Sequence, residues 1–210
     1  FQSSQSYWRG AIYSQHLKGG IEVSIYDRLQ QILGIIQSKS FLEGRGLGND
    51  LGFYIFDYDP EDELAVRDHI AYLKKRLNTR TTPKMVIEFD LYAILIDFLE
   101  SEELVEEIVR LEEEKGPEYI LEAIRDVASP DFYVDYIAAR GEDYQIVFLT
   151  GIGKVWPIIR SHNILNNLHH VLENKPVIMF FPGVYDGTGL RLFGRIKDDN
   201  YYRAFQLVAK

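Results

Sequence analysis

Cysteine is absent from this chain of 210 residues. Without cysteine the protein has no disulfide framework and no thiolate ligands for a zinc ion. This composition is typical of a cytoplasmic protein, and we expect that location. Long apolar runs are also missing, because none approaches the roughly 18 residues that span a bilayer. The sequence shows no signal-peptide pattern.

Positive charge is scarce: 23 Lys and Arg residues stand against 32 Asp and Glu residues, which gives a net charge of −9. A surface of this sign does not favour non-specific binding to DNA, RNA or anionic lipid. The remaining composition is that of a globular protein, and we expect one domain over residues 21–210. We interpret residues 1–20 as a tag remnant followed by a poorly defined segment.

Two continuous apolar runs, residues 146–149 and 177–181, indicate strands that are buried on both faces. Between them Pro157 suits the first position of a helix, and a helical pattern continues to about residue 173. The sequence Asn-Lys-Pro then ends the helix. Two buried strands joined by a helix form a βαβ crossover, and this connection implies a parallel sheet.

Strand and helix patterns alternate along the rest of the chain. Further strands are expected at 53–57, 85–90 and 190–196, the last antiparallel to 177–181 because the connection is short. Helical spacing predicts helices over 25–38, after Asp59 to about 77, within 91–139, and at the end of the chain from 198 to 208. The alternation predicts a three-layer, Rossmann-like α/β domain with a mainly parallel central sheet and an antiparallel edge strand.

The predicted helix of residues 157–173 has an unusual polar face when drawn on a helical wheel. Solvated helix faces usually carry Glu and Lys, whereas this face carries mainly Asn, His and Arg. It is either an ordinary solvent-facing surface or a recognition face for a partner protein, in which one isoleucine would be an apolar anchor. The candidate partner-binding residues are Ile159, Arg160, Asn163, Asn166, Asn167 and His170.

The sequence Gly-Ile-Gly-Lys at 151–154 lies between a predicted strand and a predicted helix. A phosphate-binding loop has the pattern G-x-x-x-x-G-K-[S/T], but here Phe148 replaces the first glycine and Val155 replaces the hydroxyl that holds magnesium. We therefore expect no nucleotide hydrolysis at this loop. Backbone N–H groups and a lysine before a helix still suit an anion. The candidate anion-binding residues are Thr150, Gly151, Gly153 and Lys154.

Three carboxylates, Asp57, Glu88 and Asp90, lie at or near the carboxyl ends of predicted strands. Open α/β sheets bind ligands at that edge, and clustered carboxylates suit magnesium. Acids after strands also commonly cap the next helix, and we favour this interpretation. We therefore assign no metal, no cofactor and no catalytic residue. A nucleotide- or metal-dependent enzyme or sensor that uses these acids with Lys154 stays open as an alternative.

Several blocks of the sequence resemble the BrxB component of BREX, the bacteriophage exclusion systems, and together they extend over about residues 26–208. The resemblance implies a cytoplasmic anti-phage protein that works with a DNA methyltransferase, a large ATPase and a phosphatase-like protein. It implies no catalytic mechanism. The matching blocks are GLGND (46–50), GFYIFDYDPEDEL (52–64), EFDLY (88–92), VFLTGIGKVWPIIRSHNILNNLHHVL (147–172), FFPGVYDGTGLRLFG (180–194) and DDNYYRAF (198–205).

The expected function is that of a non-catalytic protein-interaction subunit of a BREX-type defence complex. The resemblance favours the phosphatase-like protein as the direct partner, with the methyltransferase and the large ATPase in the wider complex. Direct binding to nucleic acid or to a membrane is not expected.

Overall fold

The structure is a computed structural model that describes residues 23–42, 52–168, 171–172, 175–198 and 204–210. The candidate His170, the block GLGND at 46–50 and the segment 1–20 lie outside the described residues. The strands are β1 (Phe53–Tyr58), β2 (Val86–Asp90), β3 (Ile146–Thr150), β4 (Val177–Tyr185), β5 (Leu190–Leu192), β6 (Ile196–Asp198) and β7 (Phe205–Gln206). The helices are α1 (Ile25–Ile36), α2 (Lys39–Leu42), α3 (Glu63–Leu77), α4 (Leu91–Ser101), α5 (Val105–Lys115), α6 (Pro117–Val127), α7 (Pro130–Gly141), α8 (Ile152–Val155) and α9 (Ser161–Leu168), with a 3-10 turn at Pro60–Asp62.

Five strands form a parallel sheet in the order β2-β3-β4-β1-β7. The β3–α8–α9–β4 segment is the expected crossover, and Val147 and Phe53 both align with Val177 of β4. β5 is antiparallel to the far end of β4, where Gly183 aligns with Leu192, and β6 continues from β5. The α/β fold with a mainly parallel sheet and antiparallel edge strands is therefore confirmed.

Helices cover both faces of the sheet because side chains alternate along each strand. Ile55 and Met179 belong to one buried cluster, together with apolar residues of α4, α7, α8 and α9. Phe56 and Phe180 point to the other face and pack with α1, α2 and α3. Fully burying an apolar side chain of this size stabilises a fold by about 1.5–3 kcal/mol, so these two clusters hold the layers together.

The predicted strand at 190–196 is two short strands joined by a tight turn. Phe193 has φ +54° and Gly194 has φ +68°, and the Arg195 N–H donates to the carbonyl of Leu192 at 3.0 Å. Positive φ at both central residues is the geometry of primed hairpin turns, which Asn-Gly usually forms. Phenylalanine carries no such signal, so the sequence predicted one continuous strand here.

The predicted C-terminal helix is wrong over residues 205–206, which form β7 beside β1. The Leu207 N–H donates to the carbonyl of Ile55 at 2.8 Å. The free edge of β1 has unpaired N–H and C=O groups that a second extended segment satisfies. Local spacing does not reveal such a distant partner. Residues 199–203 lie outside the described residues.

The predicted helix of 157–173 is also shorter than expected. α8 ends at Val155, and α9 begins only at Ser161. Trp156 is extended, with φ −67° and ψ 137°, as a residue before proline prefers, and the Trp156–Pro157 peptide bond is cis. Among the described helices, none is long and apolar enough to cross a membrane.

Candidate functional site

Two cavities border α8, at the edge where the parallel strands end. After β1 the chain crosses to α3 on one face, whereas after β3 it passes into α8 on the other. Such a divergence opens a crevice above the strand that lies between them, here β4. The larger cavity, which we name the strand-end cleft, has a volume of about 300 Å³ and is lined by residues that include Tyr58, Arg67, Lys154 and Phe193.

Some groups of the candidate anion-binding loop already contact other residues of the fold. The Thr150 hydroxyl donates to Glu88 Oε1 at 2.8 Å, and Thr150 is buried. Gly151 has φ +74°, and a Cβ atom added to it would lie 2.2 Å from Asp90 Oδ1. The ammonium group of Lys154 forms an ion pair with Asp90. Gly151, Gly153 and Lys154 line the strand-end cleft, and Thr150 does not.

Glu88 and Asp90, at the end of β2, are held by neighbouring groups. Asp90 Oδ1 accepts hydrogen bonds from the backbone N–H groups of Tyr92 at 3.0 Å and Ala93 at 3.2 Å. It therefore caps α4, which confirms the favoured interpretation for this acid. Glu88 Oε2 accepts from Lys74 Nζ at 2.6 Å. Both carboxylates thus have structural partners.

Asp57 belongs to a separate, buried network. Its carboxylate accepts from Arg28 Nη2 at 3.1 Å, from the Tyr185 N–H at 3.2 Å and from Gln206 Nε2 at 3.3 Å. Arg28 Nη2 also donates to the carbonyl of Val208 at 3.1 Å. These bonds join α1, β1, β4 and the C-terminal segment. Asp57 therefore ties four parts of the fold together.

The structure does not bring the three candidate metal ligands together. Asp57 lies on β1, which β4 and β3 separate from the β2 acids Glu88 and Asp90. Three strand spacings correspond to about 14 Å, too far for one ion to be shared. Within the described ranges, no group of three or more His, Asp or Glu side chains could hold a metal ion.

The partner-binding candidates are divided by the break between α8 and α9. Ile159 is only 5% exposed and packs into the apolar cluster of that face, so the prediction that it is a solvent-facing anchor is wrong. Residues 156–160 are not helical, and a helical wheel does not describe them. Arg160, Asn166 and Asn167 are exposed as predicted, and Asn163 is partly buried.

The sequence interpretation did not single out Trp156, which is 38% exposed. With Arg160, it lines the smaller cavity of about 100 Å³, and we name this cavity the Trp156 pocket. Arg125 Nη2 donates to the Pro157 carbonyl at 2.8 Å and fixes the turn beneath the pocket. In the described part of the chain, the guanidinium group of Arg160 makes no hydrogen bond or ion pair. A tryptophan directly before a proline is a usable signal, because the residue before proline prefers extended backbone and therefore interrupts a helix at that point.

Tyr58 supplies a hydroxyl to the strand-end cleft. It donates to Glu63 Oε2 at 2.6 Å. Burial, and secondly the Glu63 carboxylate, raise the pKa of Tyr58 well above its usual range. The hydroxyl therefore keeps its proton at neutral pH, and the Glu63 carboxylate already has one hydrogen-bond donor.

Comparison with known proteins identifies consistent relatives. The family model described as BREX protein BrxB matches residues 87–207. A BREX protein BrxB of Bacillus cereus (strain H3081.97) is 51% identical over 190 residues, which cover 89% of this chain and 98% of that protein. A BREX protein BrxB of Escherichia coli O9:H4 (strain HS) is 35% identical over 185 residues, with coverages of 86% and 90%. No solved structure matches.

Proposed function

This chain belongs to the BrxB family of BREX proteins, and from that premise we propose that it acts as a non-catalytic protein-interaction subunit of a BREX anti-phage complex. One observation carries the proposal. The acids that would hold the metal ion of a phosphate-transferring site are engaged within the fold: Asp90 caps α4, Glu88 pairs with Lys74, and Asp57 pairs with Arg28. Trp156 and Arg160, which follow α8 in the chain, have exposed side chains that a partner could contact.

The proposed interaction surface, which we name the Trp156 surface, consists of Trp156, Arg160, Asn163, Asn166 and Asn167. Tryptophan and arginine are enriched among the residues that dominate binding energy at interfaces. The guanidinium group offers bidentate contacts to a carboxylate, and the amides donate and accept hydrogen bonds together. The Trp156 pocket, of about 100 Å³, suits one small apolar side chain of the partner.

We take the phosphatase-like BREX protein as the partner, which the resemblance of the sequence to the family supports. Because Arg160 is positively charged, we expect an acidic residue on the partner's side of the contact. Cells that carry the complete defence genes provide the phosphatase-like protein in its natural context. The test therefore uses the full chain and its natural partner.

The experiment measures the affinity of the purified chain for the phosphatase-like protein. The paired change Trp156→Ala and Arg160→Glu should weaken association by more than about 2 kcal/mol, the usual scale for dominant interface residues. The variant should stay folded because neither side chain belongs to a buried cluster, and thermal melting checks this.

The matched control is Tyr72→Ala with Arg76→Glu on α3, which packs on the opposite face of the sheet. Tyr72 is 49% exposed and Arg76 is exposed, so the pair changes the same chemistry elsewhere and should bind normally. Unchanged affinity in the folded Trp156 and Arg160 variant would exclude this surface, and equal losses in both variants would indicate a non-specific effect of charge.

An enzyme or sensor is the second candidate function, and the cleft beside Lys154 is the observation that favours it. We expect no hydrolysis of ATP or GTP, because Val155 stands where a phosphate-binding loop has its magnesium hydroxyl and its side chain is buried. Phosphate release that disappears in Lys154→Ala would favour the enzyme over the interaction subunit.

A further inference from the structure

The strand-end cleft is suited to a small molecule by its position and its size. It lies beyond the carboxyl ends of β1 and β3, at the kind of crevice where open α/β sheets bind ligands. Its volume of about 300 Å³ is at the lower end of the range for small-molecule pockets. The cleft and the Trp156 pocket share only Ile152 in their linings, so the two sites use different side chains.

One wall of the cleft is the ring of Phe193, held in an unfavourable backbone conformation. A left-handed conformation costs an L-residue roughly 1–2 kcal/mol, and Phe193 adopts it with φ +54°. The ring packs so closely on Gly153 that a Cβ atom there would lie 2.8 Å from Phe193 Cε1 and 3.1 Å from Pro182 Cγ. Glycine at 153 and the positive φ together place the Phe193 ring in the lining of the cleft, where it offers an apolar contact to a planar ring.

Two cationic side chains, Arg67 and Lys154, and one carboxylate, Glu63, line the cleft, so its lining carries one positive charge in excess. Arg67, exposed on α3, lines it and makes no hydrogen bond or ion pair to the described residues. Lys154, on α8, also lines the cleft and forms an ion pair with Asp90, whose side chain is 26% exposed while that of Lys154 is 37% exposed. Ion pairs this open to solvent are worth only about 0–1 kcal/mol, so Lys154 can transfer to an incoming anion at little cost. Glu63, the carboxylate in the lining, already accepts from Tyr58.

We propose that the strand-end cleft binds a small anionic ligand with a planar ring, of the mononucleotide class, and holds it without hydrolysis. The ring stacks on Phe193, and the phosphate contacts Arg67 and Lys154. This proposal is independent of the proposed function and adds a ligand to a protein that also binds a partner.

Calorimetric titration of the full chain with adenosine 5′-monophosphate tests the proposal. We expect saturable binding, and binding at least about tenfold weaker for adenosine, which lacks the phosphate, and for inorganic phosphate, which lacks the ring. Arg67→Ala should weaken nucleotide binding about tenfold or more, as the loss of one charge-assisted hydrogen bond predicts. Phe193→Asn should also weaken it, while asparagine tolerates the positive φ.

Arg76→Ala is the matched control, since it removes an exposed arginine from the other end of the same helix and should leave nucleotide binding unchanged. No saturable heat at millimolar nucleotide would overturn the proposal, as would equal affinities of the wild type and Arg67→Ala. If inorganic phosphate bound as tightly as the nucleotide, the site would recognise the anion alone, and the proposed role of Phe193 would be overturned. Partner binding should be normal in Arg67→Ala, and nucleotide binding normal in the Trp156 and Arg160 variant, so each proposal fails separately.

Discussion

The carboxylate of Asp90 and the ammonium group of Lys154 form an ion pair that joins the end of β2 to the turn after β3. The same carboxylate caps α4 and occupies the space into which a side chain at position 151 would point. One acid thus fixes the start of a helix, neutralises the lysine of the loop and requires glycine beside it. These three contacts are structural reasons for the glycine at 151 and the lysine at 154 of the Gly-Ile-Gly-Lys loop.

Gly151→Ala should destabilise the fold more than an alanine at another glycine with similar backbone geometry. At 151 the new Cβ atom would lie 2.2 Å from Asp90 Oδ1, and φ is +74°. Gly194 has φ +68° and nothing within 4 Å of the added atom. We expect about 1–2 kcal/mol for Gly194→Ala from the backbone alone, and a larger loss for Gly151→Ala in urea unfolding. Equal losses would show that Asp90 moves away freely.

Asp57→Ala should lower the free energy of unfolding by about 3–5 kcal/mol, because it leaves the Arg28 guanidinium group buried without its ion-pair partner. Chemical denaturation measures the loss. The variant with both Arg28→Met and Asp57→Leu should lose less than the single change, since no uncompensated charge stays inside. Asp143→Ala is the control: Asp143 pairs with Lys84 on the surface, and its removal should leave the unfolding curve unchanged. A stable Asp57→Ala protein would contradict the role assigned to this network.

Ile159→Ala should lower the free energy of unfolding by about 2–5 kcal/mol, the range for a buried isoleucine, because Ile159 packs in the apolar cluster. Val109→Ala on α5 is the comparison. Val109 is 53% exposed, and a surface change of this kind usually stays within about 0.5 kcal/mol. Thermal melting and urea titration give both values. An Ile159→Ala protein as stable as the wild type would mean that the residue is exposed after all.

Asp186 should titrate at an unusually low pH. The Thr188 hydroxyl, followed by the backbone N–H groups of Gly189 and Thr188, lowers the pKa of its carboxyl from 3.8 to about 2. The unfolded chain then binds more protons than the folded chain between those values. The stability that this carboxylate contributes is therefore present above about pH 4 and is lost as the pH falls towards 2.

The titration of the Asp186 carboxyl carbon by NMR checks this value directly. Thr188→Val removes the hydroxyl and keeps the two backbone donors, so the pKa should rise part of the way towards 3.8. A midpoint that does not move in this variant would show that the hydroxyl bond to Asp186 does not form in solution.

The central strands were predictable because each is a short run of apolar residues that only a sheet covered on both faces can bury. Residues 146–149 and 177–181 carry this signal without ambiguity, and both runs lie within β3 and β4. The sequence also showed that the Gly-Ile-Gly-Lys loop does not match a phosphate-binding loop, since Phe148 and Val155 stand at two defining positions. Such features depend on neighbouring residues alone.

Contacts between distant residues decided the rest. Ile159 is buried because the chain turns at Trp156 before α9 begins, and β7 forms because the edge of β1 is free at the other end of the chain. The sequence by itself determined the central strands β1 to β4 and that Asp90 could cap the next helix, since periodicity and capping act over a few residues. Only the tertiary structure decided that Asp57 meets Arg28 and Tyr185 and that Arg67 and Phe193 line the same cleft. Burial and pairing depend on segments that the sheet brings together from far apart in the chain.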